Sequence, residues 1–177
     1  QTVDVWAFTN CDEVELFLNG ASLGRQSKSE NDYNLVWKLP FEEGTLLADG
    51  YRNVAEIVRK SVSTAGEPAA LVLTPDRSEI FADGADLSFI TVTVVDRNGN
   101  TVPHAGNMVK FSVEGPGMIA GVDNGSQTSM EPFKADYRKA YNGKCIVVVK
   151  AGRTKGEIKV TASSSGLPDT VCTLKVR

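Results

Sequence analysis

The chain has 177 residues with a formal charge of −3 and a pI near 5.3. That length suits one large domain or two small ones, and no basic surplus exists to neutralise phosphates, so nucleic acid is excluded as a partner. No apolar run approaches the ~20 residues that span a bilayer as a helix. Apolar residues make up 41 % and aromatics 7 %, so the core is expected to be mostly Val, Leu, Ile and Ala. The chain opens Gln-Thr-Val, with neither methionine nor signal peptide, and reads as a piece of something longer.

Residues 3–8 read as a strand, and Thr9-Asn10-Cys11-Asp12 as its connection onward. Val14, Leu16 and Leu18 then alternate with Glu13, Glu15 and Phe17, giving a strand with one apolar face. Asn19-Gly20 follows, and both residues tolerate the positive φ of a type I′ turn, so residues 21–25 return antiparallel. Leu35, Trp37 and Leu39 form the apolar side of a strand stopped by Pro40, with Trp37 as the central core aromatic. Residues 44–51 and 53–62 are expected to pair, with Asp49-Gly50 near their bend.

Ser63 to Pro68 is small, polar and punctuated by Gly and Pro, as linkers are. It divides the chain into domains 1–66 and 67–177. The second half restarts with strands at residues 70–74 and 87–95, the latter with Ile90, Val92 and Val94 inward and Asn98-Gly99 closing a hairpin. Val109, Phe111 and Val113 alternate in a further strand, and Gly115-Pro116-Gly117 breaks the chain before a strand at 118–122. Strands at 144–150, 157–162 and 171–176 follow, with Gly152 and Gly156 bracketing a hairpin between the first two. The fold class is therefore all-β: two tandem immunoglobulin-like β-sandwiches. Residues 123–143 break the pattern, being long for a loop. Phe133, Tyr137 and Tyr141 recur at helical spacing, which predicts a long loop or short helix on the rim of the second sandwich.

The inventory holds no convincing catalytic constellation. Glu13 and Glu15 share a strand face and lie at tolerable spacing for an acid pair, but that face looks to solvent, where nothing shifts a pKa. His104 is the only histidine and no Gly-x-Ser-x-Gly elbow occurs. Asp96 to Asn100 begins like a calcium loop, but Thr101 and Asn107 replace its glycine and bidentate glutamate. No catalytic, cofactor or metal residue is assigned. Cys11, Cys145 and Cys172 have unrelated spacings and read as buried thiols, with a Cys145–Cys172 bridge as the alternative. Tyr33 beside Asn31, Asp32 and Asn34, and Tyr137 and Tyr141 beside Asp136, Arg138 and Asn142, are candidates for carbohydrate or interdomain contact. The polar turn Asp123-Asn124-Gly125 joins them.

The wording of two stretches goes further. TNCDEVELFLNG followed by SLG resembles the Ig-like module that follows the catalytic barrel in bacterial β-galactosidases of glycoside hydrolase family 2. Residues 65–100, VKFSVEGPGMIAGVDNG and EPFKADYRKAYNGKCIVVV resemble that family's C-terminal Ig-like module and, more loosely, the Big repeats of bacterial adhesins. Together they cover nearly the whole chain. The resemblance implies a non-catalytic accessory pair from a retaining β-galactosidase, whose catalytic glutamates sit on a TIM barrel of the same polypeptide. Gly121 to Gly125 is similar to the family's GVxNGDP stretch, with Ser126-Gln127 replacing Asp-Pro. Family resemblance also implies export to the periplasm or beyond. The alternatives are a carbohydrate-binding pair, with glycan as partner, or an adhesin-like spacer.

Overall fold

The computed structural model describes residues 1–29 and 32–177, and these divide into two compact units, Gln1–Thr64 and Ala65–Arg177. All regular structure described is β.

The first unit holds β1 (Thr2–Phe8), β2 (Glu13–Leu18), β3 (Ala21–Ser27), β4 (Asn34–Pro40), β5 (Thr45–Arg52) and β6 (Ala55–Ser63). β1 and β4 pair antiparallel as a two-stranded sheet, and the other four run in the order β3-β2-β5-β6. Asn19 and Gly20 take φ of 51° and 84°, the two positive values that the β2–β3 turn requires. Val14, Leu16, Leu35 and Trp37 meet as the core, flanked by Val5, Ala7, Leu23, Leu39, Leu46 and Ala48. Period-2 alternation on β1, β2 and β4 thus delivers one face of each sheet to the other.

Asp49-Gly50 is not a bend. Both residues lie inside β5, and the β5–β6 turn falls at Asn53-Val54, with φ of 48° and 72°. Packing explains the glycine: a Cβ there would lie 2.7 Å from both Cys11 Sγ and Val58 Cγ1. Asp49 is buried because Arg59, its register partner on β6, closes two hydrogen bonds of 2.7 Å on its carboxylate.

The second unit holds β7 (Ala70–Pro75), β8 (Glu79–Ile80), β9 (Leu87–Val95), β10 (Met108–Glu114), β11 (Gly117–Asp123), β12 (Tyr137–Lys139), β13 (Lys144–Ala151), β14 (Gly156–Ser164) and β15 (Leu167–Val176). One sheet runs β12-β10-β14-β15-β8, with β8 parallel to β15; the other runs β11-β13-β9-β7. Their inner faces close on Ile90, Val92, Val94, Val109, Val147, Val149, Ile158, Val160 and Leu174, all fully buried.

Two expected hairpins are crossings instead. β13 and β14 belong to different sheets, so Gly152 and Gly156 frame a passage across the sandwich. Asn98-Gly99 does turn the chain, but it closes only the isolated bridge Val95–Thr101 before the chain changes sheet.

Residues 123–143 contain no helix. They form turns and the three-residue edge strand β12. Their backbone groups are taken by neighbouring strands: Phe111 N donates to Asp136 O, Val122 N to Phe133 O and Ala140 N to Asn107 O, at 2.7–2.8 Å. Lateral pairing outcompetes the local i→i+4 bonds that the aromatic spacing suggested. Asn142-Gly143 is a tight turn (φ 51° and 75°) joining Tyr141 to Lys144, rather than a helix stop.

Candidate functional site

The densest polar cluster surrounds Arg138 on β12, whose side chain is 1 % exposed. Its Nη1 donates to Glu131 O at 2.8 Å, and its Nη2 to Asp123 Oδ1 and Asn124 Oδ1 at 3.2 and 3.3 Å. Nε stands 3.8 Å from Glu131 Oε2, and the guanidinium lies over the Phe133 ring. Asp123 Oδ1 also accepts from Asn124 N and Gly125 N, while Asn124 Nδ2 donates to Lys139 O. Arg138 therefore ties the two ends of the long connection together. Asp123 and Asn124 are engaged in that tie, and they also edge a shallow depression of about 170 Å³ with Thr91, Lys144, Cys145 and Ile146.

The other sequence candidates are spread apart. Tyr137 is half-buried on β12, Tyr141 is 48 % exposed beyond it, and Tyr33 is 83 % exposed in the first unit. Asn31, named with Tyr33, lies outside the described residues. Sequence reading missed the burial of Arg138, since a lone arginine among polar neighbours carries no sign of it. It also passed over Trp6 and Phe8, alternate residues of β1 that are 55 % and 73 % exposed, with ring centroids 6.0 Å apart and planes 28° apart.

The acids are occupied as structural acceptors. Glu13 pairs with Arg25 and accepts from Ser27 Oγ; Glu15 accepts from Ser22 Oγ at 2.7 Å. Asp96 accepts from the backbone N–H of Gly66, Asn98 and Asn100 at 2.8–2.9 Å, and from Asn100 Nδ2. These donors, that of Gly66 foremost, hold its carboxyl down to about 2. A carboxylate ringed by N–H groups presents them, not free lone pairs, to a cation. Among the described residues no group of three or more His, Cys, Asp or Glu is placed to hold a metal.

The three cysteines are free. Cys145 and Cys172 stand on different sheets, and burial pushes the Cys145 thiol up to about 12. The thiolate that nucleophilic chemistry needs is thereby suppressed. His104 is exposed, and no acid–histidine hydrogen bond joins it among the described residues.

Such a molecule belongs to the class of tandem β-sandwich modules, built around cores rather than around a reacting centre. Residues 71–173 match the model of glycoside hydrolase family 2 C-terminal domain 5, and residues 1–58 match a domain of unknown function, DUF4982. The chain belongs to glycoside hydrolase family 2. It is 46 % identical over 172 residues to a β-galactosidase of Bacteroides ovatus, covering 97 % of this chain and 20 % of that protein. A putative β-glucuronidase of Formosa agariphila is 33 % identical over 84 % of this chain and 15 % of its own length. The crystal structure of a family 2 member from Bacteroides cellulosilyticus superposes with a TM-score of 0.93 at 39 % identity, covering all of this chain and 23 % of that one. A β-glycosidase from Bacteroides vulgatus gives 0.95 at 30 %, over 99 % of this chain and 23 % of its own. The chain thus spans about a fifth of the length of the relatives it matches.

Proposed function

We propose that this chain is a non-catalytic, load-carrying pair of modules from an exported, retaining β-galactosidase. The bond-breaking glutamates lie on a barrel of the same polypeptide outside this stretch. One observation carries the reading: Glu13, Glu15, Asp49, Asp96 and Asp123 are each engaged by donors from their own unit, which leaves no converging acid pair. The names of the relatives supply the reaction class, and their greater length leaves room for the barrel.

The test compares the 177-residue chain with its full-length parent on an aryl β-galactoside and an aryl β-glucuronide. The parent is expected to hydrolyse the galactoside and the isolated chain neither. Turnover by the isolated chain refutes the reading.

A second reading, glycan holding, is favoured by Trp6 and Phe8, since two exposed rings on one strand face suit the apolar faces of successive sugars. Calorimetry with β-galactans separates the two: Trp6→Ala weakens binding if the rings are a platform, and millimolar galactan gives no heat if they are not.

A further inference from the structure

The two outer faces of the second unit differ in kind. On the β12-β10-β14-β15-β8 sheet the outward residues include Lys110, Ser112 and Glu114 of β10, Glu157 and Lys159 of β14, and Thr173 and Lys175 of β15. Lys159 lies 3.8 Å from Glu114, and Lys175 3.8 Å from Glu79. Met108 and Val171 are isolated apolar side chains on this charged, self-neutralised surface, which is what water asks of an outer face.

The outer face of the β11-β13-β9-β7 sheet is mixed, with Thr74, Thr91, Thr93, Lys144 and Lys150 beside an apolar patch. Cys145, Val147 and Val149 point into the core, so Ile146 and Val148 point out. Register sets Val148 beside Phe89 on β9 and Lys150 between Met118 and Leu87. Val72 lies on the same face of β7, set off from Phe89 and Val148 by Thr74, Thr91 and Thr93. Met118, Phe89 and Val72 are 55, 42 and 43 % exposed. A strand reading Cys-Ile-Val-Val-Val is the pattern of one covered on both faces. A contiguous outer patch of this kind marks a contact surface rather than scattered exposure. Lys144 and Lys150 stand at the two ends of the outward row of β13, and no ion pair engages either among the described residues.

We infer that this outer face, centred on Val148 and Phe89, is where the second unit docks against another part of its own parent polypeptide. The docking surface there is apolar, with carboxylates at its edge to meet Lys144 and Lys150. The inference rests on the accessory-module reading above and adds the surface through which it acts. The occupant follows from two observations. The relatives carry about four-fifths of their length beyond the matched stretch, so covering chain is at hand. The uncompensated lysines ask for an acidic rim, whereas a second copy packed about a two-fold through the middle of β13 would set lysine over lysine. The patch is mainly aliphatic, with few of the ring faces on which sugars stack.

The test is thiol protection in the full-length parent. Met118→Cys and, as a second probe, Val72→Cys are made on this face, with Thr173→Cys on the opposite one. Each is labelled with a charged maleimide, and the unsubstituted parent supplies the background from the native cysteines. All three positions are exposed in this chain, so the substitutions spare the core. The thiols at 118 and 72 are expected to react at least about tenfold more slowly than that at 173, and equally once denatured. Protection should persist on dilution. Equal native rates overturn the docking face, and protection lost on dilution to monomer overturns it in favour of a second copy. Hydrolysis of the aryl β-galactoside is read on the same preparations. Equal labelling in an active enzyme sinks the docking face alone, whereas turnover of the aryl glycoside by the isolated 177-residue chain sinks the accessory reading on which it rests.

Discussion

Asp96 shows how one side chain fixes a local fold. It sits at the end of β9, gathers the backbone of the 96–100 turn, and reaches back to Gly66 N at 2.8 Å, pinning the entry of the second unit. Its folded pKa, about 2, lies below the ordinary unfolded value near 3.9. The folded state therefore binds fewer protons. The stability Asp96 contributes is fully present above about pH 4 and drains as pH falls toward 2. Urea unfolding of the second unit should show Asp96→Asn with a lower midpoint than wild type at pH 7, the gap shrinking at pH 3. Arg138 gives a second residue-scale prediction. Arg138→Met strips donors from Glu131 O, Asp123 and Asn124 within a buried site, a loss of about 1–3 kcal/mol. Amide exchange should quicken first across residues 123–136, and unchanged exchange there would show that the guanidinium does not hold the connection.

At the scale of elements, alternation and turn chemistry were legible and sheet assignment was not. Val14 and Leu16, Leu35 and Trp37, and Ile90, Val92 and Val94 announced their strands because a half-buried strand repeats every two residues. Asn19-Gly20 announced its turn because few other pairs accept two positive φ values. Gly152 and Gly156 misled because a glycine-framed gap looks the same whether the next strand returns to its own sheet or crosses to the other. Asp49-Gly50 misled for another reason: the glycine answers to Cys11 packed above it, a contact from 39 positions away that no local window contains. Gly50→Ala should cost about 1–3 kcal/mol by overpacking. Adding Cys11→Ala should recover part of that loss, so a double-mutant cycle in urea reads the coupling. Additive losses would show that the two sites do not press on each other. Of the candidate contact residues, Asp123 and Asn124 proved to be fastened to Arg138 though only partly buried, while Tyr33 and Tyr141 are exposed; such engagement is decided by partners outside any local window.

For the molecule as a whole, the two units are unequal. The first closes on four buried apolar residues, Val14, Leu16, Leu35 and Trp37, and every residue of β6 but the last is exposed. A domain of roughly 60 residues buries too little to be robust alone. Urea should therefore release the first unit before the second, followed by the fluorescence of Trp6 and Trp37, both in the first unit, against amide exchange of the second unit's core strands; a single coincident transition would contradict this. Both units use their carboxylates to brace strands and turns, and the account of the protein as scaffold depends on that use. The most direct measurement replaces the acids of most catalytic appearance, Glu13→Gln, Glu15→Gln and Asp123→Asn, one at a time in the full-length parent and follows kcat/KM on an aryl β-galactoside. The account predicts values within about twofold of wild type for each. A drop of about a thousandfold or more in any one, with the fold intact, would place chemistry in this chain and contradict it.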